Sequence, residues 1–319
     1  MGRVGGKEPF EEGRCDLEEL AGIAVNTKAV ERVSEAIGEQ IEAVARRERA
    51  TVFSGKIVLI KPVPKMYIAI DGTGVPMVPS ETEGRPGKGP DGKAKTREVK
   101  LGCVFTQTTV DQEGWPVRDD ASTTYVGSIE TSEEFGRRIF TEAIRRGSRC
   151  AERIIVLGDG APWIWTLAGE HFPGATQIVD LYHAREHLSN LAKVLYGPGT
   201  SMAKTWAEAR IDELDAGDVE TLVTALTHLR PSAEPAKDEL RRAVDYFETN
   251  SERMRYRHFR QQGLFVGSGV VEAGCKTIVG RRLKQSGMHW TVRGANAILA
   301  LRCCDLSGRW EQFWEARSA

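Results

Sequence analysis

No run of eighteen apolar residues occurs in the 319-residue chain, so nothing in it is long and apolar enough to cross a bilayer as a helix. The N-terminal MGRVGGKEPFEEGRC also lacks the apolar core of a secretory signal, and a cytoplasmic location is expected. Cysteine is sparse. The six present contain no C-x-x-C pair, and Cys303 and Cys304 adjoin in an apolar helical stretch, which points to reduced core thiols rather than disulfides or a zinc ribbon. A basic excess is missing as well: 44 basic against 45 acidic side chains leave a formal net charge of −1, an awkward balance for a protein that lies on phosphates. The charge is segregated, however. Residues 85–100 carry six basic and two acidic side chains, residues 276–293 carry five basic and none acidic, and residues 8–48 are rich in Glu.

The length leaves room for two or three domains. Residues 1–60 are expected to form a small helical region: a short helix capped by Asp16 and ending at Gly22, then a longer one capped by Asn26 or Thr27. The second carries Val30, Val33, Ile37, Ile41 and Val44 at helical spacing. A helix-turn-helix and a packing hairpin both fit this pattern. Lys61-Pro62-Val63-Pro64-Lys65 is expected as a stiff linker. Beyond it the patterns predict strands at 66–71, 98–110 and 122–129, a helix at 132–146, a strand at 153–158, a helix at 161–170, a strand at 176–181 and a helix from about 183. That order, β-β-β-α-β-α-β-α, is the order of a ribonuclease H-like fold, here spanning 61–199. Residues 200–265 are expected as an all-helical insertion, and 266–319 as a return to the core through closing helices packed by Ile298, Leu299, Leu301, Trp310, Phe313 and Trp314.

Three acids stand where such an α/β core would place metal ligands. Asp71 ends the apolar run Met66-Tyr67-Ile68-Ala69-Ile70 and precedes the turn Gly72-Thr73-Gly74; Asp159 follows Ile154-Ile155-Val156-Leu157-Gly158. Glu272 lies in a glycine-broken turn, 267–274, that becomes a helix. Taken singly, Asp before Gly is a common turn former and a helical Glu is usually solvated.

The segments IAIDGTGVP (68–76), VLGDGAPWIW (156–165), VDLYHAREHL (179–188) and GSGVVEAGCKTIVGRRLKQSGMHW (267–290), in this order over most of the chain, resemble the DDE transposases of the ISKra-four insertion-sequence family. Asp180-Leu181-Tyr182-His183 also resembles the Asp- or Cys-x-x-His signature of the wider Mutator-like group, in which a helical insertion precedes the last glutamate. The resemblance implies metal-dependent cleavage of an element's ends and strand transfer, with water and then the released 3′-hydroxyl as nucleophile. It implies that Asp71, Asp159 and Glu272 are catalytic and hold two Mg²⁺ ions, for which Mn²⁺ may substitute, at a spacing of roughly 3.5–4 Å. Asp180 and His183 would order the active-site strand and helix or contact DNA. Double-stranded DNA, as element ends and target, and a homo-oligomeric synapse on the nucleoid are the implied partners. Compared with that family, N-terminal sequence is expected to be missing.

Next to Glu272, the basic residues Lys276, Arg281, Arg282 and Lys284 are candidates for phosphate contacts, and Trp290 for stacking on a displaced base or for the core. Trp163 and Trp165 are expected in the core. Three other functions match parts of the sequence. A domesticated or truncated transposase would bind DNA without cutting it. His183-Ala184-Arg185-Glu186-His187 formally fits the H-x-x-E-H zinc pattern of one class of metalloproteases. The IDGTG and GDG segments echo haloacid-dehalogenase phosphatases, but Thr73 stands where their second acid is needed.

Overall fold

The computed structural model describes residues 1–55, 62–87 and 92–318. The chain is mixed α/β, with a five-stranded mixed sheet and a separate two-stranded one. It opens with α1 (Gly2–Lys7), α2 (Phe10–Ala21) and α3 (Thr27–Phe53), followed by β1 (Val63–Pro76), β2 (Thr96–Gln107), β3 (Thr109–Val110), β4 (Pro116–Val117) and β5 (Thr124–Ser128). Then come α4 (Ser132–Arg145), β6 (Ala151–Gly158), α5 (Pro162–His171), β7 (Thr176–Val179) and α6 (Leu181–Tyr196). Four helices fill the next stretch: α7 (Ser201–Ala216), α8 (Val219–Thr227), α9 (Glu234–Thr249) and α10 (Tyr256–Gln261). The chain continues with α11 (Gly269–Gly274), a π-helical turn at Cys275–Gly280, α12 (Arg281–Leu283), α13 (Val292–Leu306) and α14 (Trp310–Ser318). Two compact units divide it: Met1–Thr106 with Asp120–Glu152 and Gly269–Ala319, and Gln107–Asp119 with Arg153–Ser268.

In the first unit the strand order is β5-β2-β1. β2 and β5 are antiparallel, Lys100 facing Ser128 and Val104 facing Thr124. Met66 to Ile70 of β1 are fully buried, as expected of a strand covered on both faces. Helix α3 starts at Asn26, whose side chain accepts from Ala29 N at 2.8 Å. Its buried residues are Val30, Ser34 and Gly38 rather than the larger apolar side chains. A Cβ at Gly38 would come within 2.1 Å of the Ala297 carbonyl, so α3 and α13 meet backbone to backbone through small residues. In the second unit β6 and β7 are parallel, Ile155 facing Thr176 and Gly158 facing Val179.

Several expectations need correction. Asp16 caps nothing: it lies inside α2, which begins after Pro9 with Glu11 and Glu12 in its first turn, where the helix dipole favours acids. α1 forms although three of its six residues are glycine, because Gly2, Gly5 and Gly6 let it lie close on its neighbours. Val63, Pro64 and Lys65 belong to β1, not to a linker, and Lys61 lies outside the described residues. The expected strand 98–110 is broken into β2 and β3, with β4 returning through a turn at Gly114, φ +84°. All six cysteines are free. Among the described residues no helix is long and apolar enough to cross a membrane.

Candidate active site

In the first unit, Asp71 sits on β1 where the buried run gives way to partly exposed backbone. Its carboxylate accepts from Gly72 N at 2.7 Å. Gly72 is small for a reason: a Cβ there would lie 2.6 Å from Glu98 Oε1, so the Glu98 carboxylate of β2 stands against the residue that follows Asp71. Glu98 is ion-paired to Lys100 at 2.9 Å.

Helix α11 packs on this strand. Cys275, one turn beyond Glu272, hydrogen-bonds Asp71, and burial followed by the Asp71 charge pushes its thiol well above the ordinary range. Val271, Gly274 and Cys275 form the buried face of this stretch, and Glu272 lies beside it on the exposed side. Glu272 itself is half-exposed and paired with Lys276 at 2.7 Å. The expected turn Gly72-Thr73-Gly74 is a correction, since β1 runs on as strand to Pro76; Lys284 donates to Thr73 Oγ1 in this continuation. Asp71 thus lies on β1 and Glu272 on α11, the helix that contacts β1.

The wide turn at Cys275–Gly280 explains a residue that sequence reasoning missed. Arg302 donates through Nε to the Ile278 carbonyl at 2.8 Å and through Nη1 to Gly6 O at 2.7 Å, and it also contacts Thr277 O. It satisfies carbonyls that the π-helical turn presents and ties α1 to them.

Arg282 is a correction, and Trp290 takes the core alternative of its two readings. Arg282 is fully buried and Trp290 is 7% exposed, so neither presents a surface to DNA here. The Arg282 guanidinium lies 4.5 Å from the Phe10 ring centre and 5.0 Å from that of Trp290, and its Nε donates to Gly5 O at 3.0 Å. Burial and the nearby Arg302 push its pKa down to about 10. Trp290 meets Phe10 edge-on at 6.0 Å and donates from Nε1 to Leu283 O at 3.1 Å. The cause is aromatic and cationic packing against α2, an element whose contacts the local sequence does not announce. Lys276, Arg281 and Lys284 remain exposed.

In the second unit, Asp159 follows β6 and accepts from Ala161 N at 2.9 Å, closing the turn into α5. Its carbonyl accepts from the Tyr246 hydroxyl of α9 at 2.9 Å. Gly160 has φ +102°, and a Cβ there would meet the Tyr246 ring at 2.5 Å, so glycine is required twice over. His187 stacks on the same ring with centroids 4.1 Å apart. Burial, then the charges of Asp159 and Asp180, raises the Tyr246 phenol far above its ordinary value and keeps it a hydrogen-bond donor. Burial and then His183 lower the pKa of His187.

Asp180 is buried at 2% exposure; it caps α6 by accepting from His183 N at 2.9 Å and also accepts from Ser268 N. His183 is partly exposed; His187 keeps solvent contact at its edge while its ring face is covered by Tyr246. Trp165 is buried at 8% exposure, whereas Trp163 is only partly buried. Among the described residues, no three of His, Cys, Asp and Glu are gathered tightly enough to hold a metal ion.

A family model described as an uncharacterised protein family, UPF0236, matches residues 140–316. No curated protein matches the chain. Of solved structures, the Drosophila P element transposase strand transfer complex is similar at 11% identity and a TM-score of 0.26, covering 96% of this chain and 85% of that one. The crystal structure of NurA bound to dAMP and manganese is similar at 13% identity and a TM-score of 0.12, covering 89% and 64%. Likenesses at these scores fix neither fold nor activity.

Proposed function

The chain belongs to the uncharacterised protein family UPF0236, and from the acids on β1, just after β6 and on α11 we propose that it is a transposase that cuts and joins DNA strands with divalent metal. The observation that carries this reading is the packing of α11 on β1, with Glu272 on α11 and Cys275, which opens the π-helical turn after it, hydrogen-bonded to Asp71. The order β1-β2-β5-α4-β6-α5-β7-α6, with antiparallel pairing before parallel pairing, supports a ribonuclease H-like core. The four segments resembling ISKra-four transposases support the finer assignment.

Asp71, Asp159 and Glu272 would hold magnesium, a hard cation that prefers carboxylate oxygen, with manganese able to replace it. Carboxylate oxygens are the donors such a cation takes, while among the described residues no three such groups stand close enough together to hold a metal ion as they are placed. The bound metal supplies activation of the attacking oxygen and stabilisation of the leaving one. The chain's own residues do the rest. Lys276 keeps Glu272 on its helix face, Gly72 N and Ala161 N orient Asp71 and Asp159, and Tyr246 fixes the backbone of Asp159. Asp180 and His183 position α6, and Lys276, Arg281 and Lys284 are the exposed cations near Glu272 suited to phosphate. Because two element ends must be joined, the working form is a homo-oligomer on DNA.

Incubation of the purified protein with supercoiled plasmid in Mg²⁺ or Mn²⁺ tests the reading. Nicked or linear product that EDTA abolishes is expected. DNA bound but left intact in either metal would favour a non-cleaving, domesticated protein.

A further inference from the structure

Beyond Pro76 two arms, residues 77–87 and 92–95, meet antiparallel at Pro86 and Lys93. Ala94 N donates to Arg85 O at 3.1 Å and Gly87 N to Gly92 O at 2.9 Å. Between these arms and His289 lies a cavity of about 1070 Å³, wholly within the first unit. Its walls include apolar Met77, Pro79, Pro86 and Ala94, and its cations are Arg85, Lys93 and Lys95, with Glu83 the acid among its described lining residues. All three cations are exposed, as is His289.

The groove is fixed to the catalytic strand. Trp290 N donates to Pro76 O at 3.1 Å and Val78 N to Trp290 O at 2.9 Å, so the backbone beside the lining residue His289 is held on the continuation of β1. Six residues of extended chain at about 3.3 Å each place Met77 roughly 20 Å beyond Asp71. A strand of nucleic acid leaving the acids can reach it.

We propose that this groove binds single-stranded DNA, the displaced or flanking strand next to the cut, with phosphates on Arg85, Lys93 and Lys95 and base faces on the apolar wall and His289. The choice of DNA as the polyanion rests on the transposase reading. The choice of a single strand rests on the walls: duplex DNA keeps its base faces stacked inside and has nothing apolar to offer them, whereas an unpaired strand presents both faces and phosphates together.

Fluorescence anisotropy with labelled oligothymidine and a labelled hairpin duplex, in EDTA and over a range of salt, tests the groove apart from any cleavage. The variant combining Arg85→Ala, Lys93→Ala and Lys95→Ala is expected to lose single-strand affinity on the order of tenfold and to flatten the salt slope by about two, since each phosphate contact on a single strand contributes about 0.7. Lys237→Ala with Arg241→Ala, on α9, should change neither. Glu83→Lys should tighten single-strand binding, an outcome misfolding cannot imitate. Unchanged affinity and slope in the triple variant, or no gain in Glu83→Lys, would overturn the groove. An equal loss for the duplex would overturn the single-strand assignment. Because binding is read without metal, a protein that never nicks plasmid can still pass or fail this test.

Discussion

Asp71→Asn, Asp159→Asn and Glu272→Gln are each expected to reduce strand cleavage by a factor on the order of 10³ or more while the protein stays folded. Each change removes one ligand charge at nearly constant volume. The folded state tolerates it for local reasons. Asn at 71 or 159 keeps a side-chain oxygen to accept from Gly72 N or Ala161 N, bonds now 2.7 and 2.9 Å long. Gln at 272 gives up only a surface pair with Lys276, a contribution of about 0–1 kcal/mol. DNA affinity measured in EDTA should therefore equal that of the wild type, and single-turnover cleavage should carry the whole effect. A wild-type rate in any one variant removes that acid from the site; wild-type rates in all three remove the site.

The second large effect is on stability. Trp290→Ala is expected to cost about 3–5 kcal/mol, the range for emptying a buried aromatic position. The ring is packed edge-on against Phe10 and under the Arg282 guanidinium, and its Nε1–H satisfies Leu283 O. Trp290→Phe should fall between, keeping an aromatic face but leaving Leu283 O without that donor. Urea unfolding monitored by circular dichroism measures this. A Trp290→Ala protein that unfolds at the wild-type midpoint yet processes DNA ends slowly would instead restore the base-stacking role.

Asp71 and Asp159 were legible because an apolar run ending in Asp-Gly is a local signal; Asp159 does follow the end of β6, whereas at Asp71 only the full burial ends and β1 runs on to Pro76. Glu98 was hidden in a basic run. Only the close approach of its carboxylate to Gly72, a cross-strand relation, exposes it. Tyr246 was illegible for the same reason, since it reaches Asp159 O from a helix 87 residues away in sequence. Arg282 and Trp290 misled because a basic, aromatic stretch beside a catalytic acid reads as a DNA surface, whereas the partners that bury it, Phe10 and Gly5, come from α1 and α2. Helix caps such as Asn26 and Asp180 follow short-range hydrogen bonding and were read or readable from sequence; Asp16 failed because Pro9 starts α2 earlier.

Joining is the step that separates a transposase from any other metal nuclease. The decisive measurement supplies a labelled duplex with a ready 3′-hydroxyl end, the protein, Mg²⁺ or Mn²⁺ and a target plasmid, and asks where the label goes. Label covalently joined to plasmid DNA through a phosphodiester, lost in Asp71→Asn, is the predicted result. Plasmid nicking without joining, or label trapped covalently on the protein, would contradict it.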